Sequence, residues 1–178
     1  GGERVFQPEG DRTRYNIGTK TIQAFLSMAG EIDPAKINHG MTCSISQSML
    51  VELCFLIYPS EDKSNLVFAS GYDLIREENI NGGKIKKEIV PLLANAVLAG
   101  RVLSLQAGKA ADELKELTEF LGLQNLGNVL CVPIVLGKSP LGSLLLLSPY
   151  SNRVWSADDQ AFLTTIAASF APVIERNR

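Results

Sequence analysis

Apolar and polar positions follow two different rhythms along this chain, and the changes of rhythm mark out its elements. Val129 to Leu136 and Leu141 to Leu147 are apolar runs joined by Gly137-Lys138-Ser139-Pro140, and they read as adjacent antiparallel strands of a hairpin. The second run is leucine-rich at both alternating sets of positions, so both faces of the sheet need cover there, most simply from helices. Pro133 withholds a ladder donor, which predicts a bulge or a gap in pairing at that point. Ser156-Ala157-Asp158-Asp159 then offers a capping hydroxyl and first-turn carboxylates. The helix it starts carries Phe162, Leu163, Ile166, Phe170, Val173 and Ile174 as one apolar stripe, with a kink expected at Pro172 because the ring frees the carbonyl of Ala168.

The same reading applied from the start gives a polar tail over 1–17, then a helix over Gly18 to Gly30 with Ile22, Phe25, Leu26 and Ala29 at helical spacing. Asp33-Pro34 starts a second helix, in which Ile37, Met41 and Ile45 recur every four residues to about Gln47. Leu50 to Tyr58 and Leu66 to Ser70 form a hairpin, with Val51, Leu53, Phe55 and Ile57 on one face of its first strand. Gly71 to Gly83 reads as a long mobile loop of the kind that borders binding sites. Lys84 to Val90 suits a helix by spacing and a strand by β-branching. Pro91 to Ala99 is a helix stopped by Gly100, Arg101 to Gln106 a short strand, and Ala110 to Leu121 a helix ended by Gly122.

The strand Asn128-Val-Leu-Cys-Val-Pro-Ile134, the Gly142-Ser-Leu-Leu-Leu-Leu-Ser148 strand and Trp155-Ser-Ala-Asp-Asp159 before an alanine-containing helix together resemble the GAF domain, the small-molecule sensor module of phosphodiesterases, phytochromes and bacterial signalling proteins. The resemblance covers roughly Thr19 to Arg176. It implies an α+β, PAS-related architecture: a five- or six-stranded antiparallel sheet, with the first, second and last helices on one face and the two middle helices on the other. A PAS domain proper would not begin with two helices and end with so long a one. In this family a ligand, when there is one, lies under the middle helices. The apolar lining would then come from Leu53, Phe55, Leu92, Phe120 and Leu145, with Ser143 and Leu147 beside the last. The polar rim would come from Tyr72, Asn95, Gln106 and Gln124.

Bulk properties narrow the function. At 178 residues and 46% hydrophobic, the chain supports one well-buried domain, 18–178. A net charge of -2 without a basic run gives no footprint for nucleic acid or for direct membrane contact. Cys43, Cys54 and Cys131 have neither disulfide nor zinc spacing and suit a reducing, cytoplasmic setting, with no metal. Lacking an initiator Met and ending in a helix without a stop signal, the chain reads as a domain of a longer protein, its last helix continuing into the next.

The chemistry of the family transfers only in part. Nucleotide-binding members carry an Asn-Lys pair, a Phe and an Asp-Glu where this chain has Ser148, Pro149, Trp155, Asp159 and Gln160, so only Asp159 matches. It also serves as the helix cap. Leu53 and Leu145 stand where those members place polar groups, and an unpaired purine edge would cost about 1 to 3 kcal/mol per group. Bilin attachment needs a Cys with a His nearby, but the sole histidine, His39, lies on the second helix. A methionine sulfoxide reductase chemistry needs an activated thiolate with a second thiol in reach, and no cysteine here has Lys, Arg or His within two residues. Two expectations result, with no cofactor identified and no enzymatic activity. One is a sensory or regulatory domain that binds an unidentified, largely apolar molecule. The other is a ligand-free dimerisation and signal-transmission module. Both invoke a homodimer through Ile22, Phe25, Leu26, Phe162, Ile166, Phe170 and Ile174 on the terminal helices.

Overall fold

A computed structural model of the chain describes residues 18–27 and 33–177. The expected tail over 1–17 and the helix stop at Gly30 lie outside them. Helix α1 covers 18–27 and α2 Pro34–Met49. The strands β1 (Leu53–Pro59), β2 (Asn65–Asp73), β3 (Glu78–Ile80) and β4 (Lys84–Lys86) follow, then α3 (Pro91–Ala99), β5 (Leu103–Leu105), α4 (Ala111–Leu121), β6 (Val129–Leu136), β7 (Ser139–Leu147) and α5 (Ala157–Arg176). One antiparallel sheet has the order β3-β2-β1-β7-β6-β5, with β4 also paired to β2. Both ends of the main path are strands of three residues.

Residues of β7 from Leu141 to Leu147 are all buried, so the sheet is covered on both faces at its centre. One core sets Cys54, Leu56, Leu144 and Leu146 against α1, α2 and α5 through Ile22, Met41, Ile45, Leu163, Ile166 and Phe170. The other sets Leu53, Phe55, Ile57 and Leu145 against α3 and α4 through Leu93, Val97 and Leu117. Each such side chain contributes about 1.5 to 3 kcal/mol by leaving water. Val51, expected with Leu53, lies instead in the first core, because it precedes the strand and does not share its alternation.

Three local devices fix these elements. Gly100 (φ 70°) and Gly122 (φ 70°) end α3 and α4 in the left-handed conformation. The carboxylate of Glu113 on α4 accepts from the backbone N–H of Leu92 and of Leu93, each at 2.8 Å, and so caps the first turn of α3 from a neighbouring helix. Ser156 and Asp159 form a reciprocal capping box at α5. α5 runs through Pro172 to Arg176.

Two expected irregularities sit elsewhere. The bulge near Pro133 falls between Ile134 and Val135, with Pro133 still opposite Ser143, and Ser139 and Pro140 extend β7 so that only Gly137 and Lys138 form the turn. The segment expected as a long mobile loop is mostly a hairpin. β2 continues to Asp73 and pairs with β3 through Gly71–Ile80, Tyr72–Asn79 and Asp73–Glu78, while Asp73 Oδ1 accepts from the Arg76 N–H at 3.0 Å to hold the turn. The chain then passes close over β2: a Cβ on Gly82 would lie 2.1 Å from the Phe68 carbonyl oxygen. Lys84 to Val90 resolves as strand β4 and a turn.

Replacing Glu113 by Ala leaves the Leu92 and Leu93 donors without their partner in a largely buried position. Urea unfolding should report a loss of about 2 kcal/mol. An unchanged midpoint would mean that α3 is held by its apolar contacts alone.

Candidate functional site

The register of the sheet arranges side chains in rows on the α3–α4 face. Leu147, Leu53, Asp73 and Glu78 form one row across β7, β1, β2 and β3, and Leu145, Phe55, Gly71 and Ile80 form the next. A Cβ on Gly71 would lie 2.5 Å from the Phe55 ring, so glycine is what lets that ring cross the strand. Between the β2–β3 hairpin and the end of α4 these rows border a cleft of about 370 Å³. Leu53, Phe55, Ile80, Leu121 and Leu123 supply its apolar surface, and Asp73, Arg76, Glu78, Asn79 and Asn81 its polar one. Asp73 is 3% exposed, a buried carboxylate on an open cleft.

Of the residues read from sequence as the ligand site, Leu53, Phe55, Leu145 and Leu147 belong to the buried centre of this face. Phe120 packs against them, its ring 5.1 Å edge-on to Phe68, which in turn lies 5.5 Å from Phe55. These contacts fill the space under the middle helices, and only Leu53 and Phe55 reach the cleft. Leu92 (44% exposed), Asn95 and Gln106 face solvent, as does Gln124. The buried side of α3 is Leu93, Ala94, Ala96 and Val97 instead. Tyr72 points away from the cleft, because its register partner is Cys54, and its hydroxyl reaches Cys43 and Gln47 on α2. Asp73 and the hairpin residues were missed because this stretch was read as loop. The alternation Ser70, Tyr72 against Gly71, Asp73 was the available signal.

A larger cleft of about 690 Å³ lies on the opposite side, between the start of α2, the β1–β2 turn and the end of α5. None of the residues read from sequence as the ligand site borders it. Its charged lining, Glu61 and Lys63, is exposed, so it lacks the buried charge of the first cleft.

Asp159 has a cation after all. Arg153 in the β7–α5 connection donates to Asp159 Oδ1 at 2.9 Å, reaches the Met49 carbonyl at 2.7 Å, and lies 4.7 Å above the Trp155 ring. Trp155 donates to the Asn128 carbonyl at 3.0 Å, and the Asn128 side chain joins Ala107, Asn152 and Arg153. These groups tie strand ends to α2 and α5, and none borders the cleft.

All three thiols are free. Burial raises each: Cys131 to about 12, Cys54 strongly upward, and Cys43 upward with partial relief from Tyr72. Among the described residues no group of His, Cys, Asp and Glu is arranged to hold a metal, and no helix is long and apolar enough to cross a membrane.

The family model of the GAF domain matches residues 33–174. Among solved structures, the chain is similar to the GAF domain of an Acinetobacter phosphoenolpyruvate-protein phosphotransferase (14% identity, 90% of this chain and 94% of that one, TM-score 0.68). It is also similar to residues 122 to 287 of a methyl-accepting chemotaxis protein (13%, 86% and 96%, TM-score 0.71) and to a phycocyanobilin-bound GAF domain of a cyanobacterial phytochrome (12%, 90% and 94%, TM-score 0.70). At these identities the likeness is one of fold. No curated protein matches the sequence.

The raised thiols give a signed pH dependence. Above pH 9 an unfolded thiol ionises while Cys54 and Cys131 stay neutral in the fold, so the stability they confer is complete below that pH and is lost as pH rises. Each should steepen the fall by about 1.4 kcal/mol per pH unit. Urea titrations from pH 9 to 11 should show a shallower fall for Cys131→Ala than for the parent chain, and equal slopes would show that this thiol ionises freely.

Proposed function

The chain belongs to the GAF family, and we propose that it is the sensory or regulatory domain of a larger signalling protein, without catalytic activity of its own. It takes a small molecule in the cleft between the β2–β3 hairpin and the end of α4 and passes its state to the terminal helices. The observation that carries this reading is the buried carboxylate of Asp73 on a cleft that joins a polar wall to an apolar one. The signalling context of the similar structures supports it, as do three free thiols for a cytoplasmic setting.

The hairpin is suited to connect cleft and helices. Its front borders the cleft, and its back, through Tyr72, rests on Cys43 and Gln47 of α2. At its turn, Leu74 N–H donates to the Glu52 carbonyl, while the Glu52 carboxylate accepts from Tyr150 and Ser151 in the β7–α5 connection. A ligand that binds one hairpin position better than another shifts the population, and the shift reaches α2 and α5 through these contacts.

One observation favours the second reading, a ligand-free dimerisation and transmission module. Leu53, Phe55, Leu93 and Leu145 close the space under the middle helices, where the family's ligand would lie. Leu92, read from sequence as part of the apolar lining there, is outside it. The proposed homodimer also needs a different surface from the one first assigned: Ile22, Ile166, Phe170 and Ile174 are buried within the chain, and Phe25, Leu26 and Phe162 pack on the same core. The outward positions of α1 and α5 are Lys20, Gln23, Ala24 and Thr164, Thr165, Ala168, Ser169, which are small or polar.

Native mass spectrometry of the purified chain discriminates the readings. We expect a retained small molecule or, after stripping, a metabolite that raises the melting temperature. An empty dimer that no compound in a broad panel stabilises would establish the second reading instead.

A further inference from the structure

We propose that the cleft between the β2–β3 hairpin and the end of α4 receives a small primary amine, its ammonium group held by Asp73 and Glu78 and its apolar body laid on Leu53, Phe55, Leu121 and Leu123. This names the ligand class of the site described above and rests on the sensor reading.

The first argument is the register. Asp73 and Glu78 are direct cross-strand partners on one face of an antiparallel pair, where two like charges repel. A cation between them turns that repulsion into two attractions. Arg76 does this poorly: its guanidinium is 3.7 Å from Asp73 Oδ2, and its side chain is 68% exposed while that of Asp73 is 4% exposed. A solvent-swept guanidinium on a turn is a counter-ion that a ligand can displace.

The second argument comes from the opposite wall. Leu121, Gly122 and Leu123 are the C-terminal end of α4, where the helix carries partial negative charge. The last turn of α4 has no basic residue to complement it, although its first turn has Asp112 and Glu113. Cleft and helix end therefore ask for positive charge from the same point in space. An anion would meet two carboxylates and the negative end of a helix, with only the exposed Arg76 to offset them.

The remaining geometry selects an organic cation. Among the described residues no third carboxylate, histidine or cysteine joins Asp73 and Glu78 as a metal-holding group. Apolar side chains from β1, β3 and the end of α4 form one wall of a space of about 370 Å³, at the small end of ligand pockets. Asn79 and Asn81 add amide oxygens at the rim. Arg76, once displaced, remains tethered beside the cleft and can meet a carboxylate on the same ligand, so a simple amine and an amino acid share the chemistry and differ in their need for Arg76.

Calorimetry and thermal shift on the full chain, with four probes of one aromatic body, test this. 2-Phenylethylamine and L-phenylalanine should bind and raise Tm, while 2-phenylethanol and 3-phenylpropanoate should not. Asp73→Asn should weaken amine binding by at least about tenfold, the loss of a charge-assisted hydrogen bond. Glu78→Gln, on an exposed strand position, should weaken it a few-fold and keeps the test valid if the Asp73 variant does not fold. Arg76→Gln should tighten 2-phenylethylamine by removing the internal competitor, and weaken L-phenylalanine if the natural ligand is an amino acid. Equal binding of the alcohol and the amine, or amine binding untouched in both acidic variants, overturns the amine assignment and leaves the sensor reading standing. Silence from all four probes overturns the assignment, and the sensor reading falls with it only if the broad metabolite panel is silent too.

Discussion

From Ser143 to Leu147 both sides of β7 are sealed from solvent, and this dryness governs the fold. A strand buried on both faces needs a layer of helices above and below it, and the two layers here have different compositions. The layer of α1, α2 and α5 is built from long apolar side chains on three helices that pack over the centre of the sheet. The layer of α3 and α4 is built from two short helices, of which α3 is anchored by the Glu113 carboxylate of α4. Those helices do not extend over the β2–β3 hairpin, and the cleft is the place where the second layer stops short.

How far the sequence could be read depended on whether a residue's environment is local. Helices α3 and α4 were legible to within a residue because Pro91, Gly100 and Gly122 mark their ends by backbone geometry that needs no partner. The β6–β7 hairpin and the Ser156–Asp159 cap were legible for the same reason. The phase of α3 was not, because Pro-Leu-Leu-Ala-Asn-Ala-Val-Leu-Ala is apolar nearly all round, so that Leu92 was placed in the lining and Asn95 at its rim when both face solvent. The β2–β3 hairpin was hidden because Gly71, Gly82 and Gly83 look like loop residues, whereas Gly71 makes room for the Phe55 ring and Gly82 for the Phe68 backbone. Both reasons are tertiary. The face of Tyr72 was lost with the hairpin, since a side chain's face follows from the strand it belongs to.

The pairing of Asp159 shows a different limit. Position-by-position comparison found a proline where a lysine was needed and left Asp159 as a cap alone. The cation is supplied from Arg153, in the connection rather than on the strand, and it also reaches the end of α2 and the face of Trp155. The charge interaction is present although the motif is not. Motif matching asks which residue stands at a position, while the fold asks only that a positive group arrive at the carboxylate.

The three-residue strands at the two edges of the sheet have a consequence for how copies of this chain can meet. A long open edge is a template on which a second chain can add its own strand, which leads to uncontrolled polymerisation. Here each edge exposes only a few unpaired backbone groups before the chain turns away into a hairpin or a helix. Strand addition therefore has little purchase at either side, because neither edge offers a second chain more than a few backbone groups to pair with.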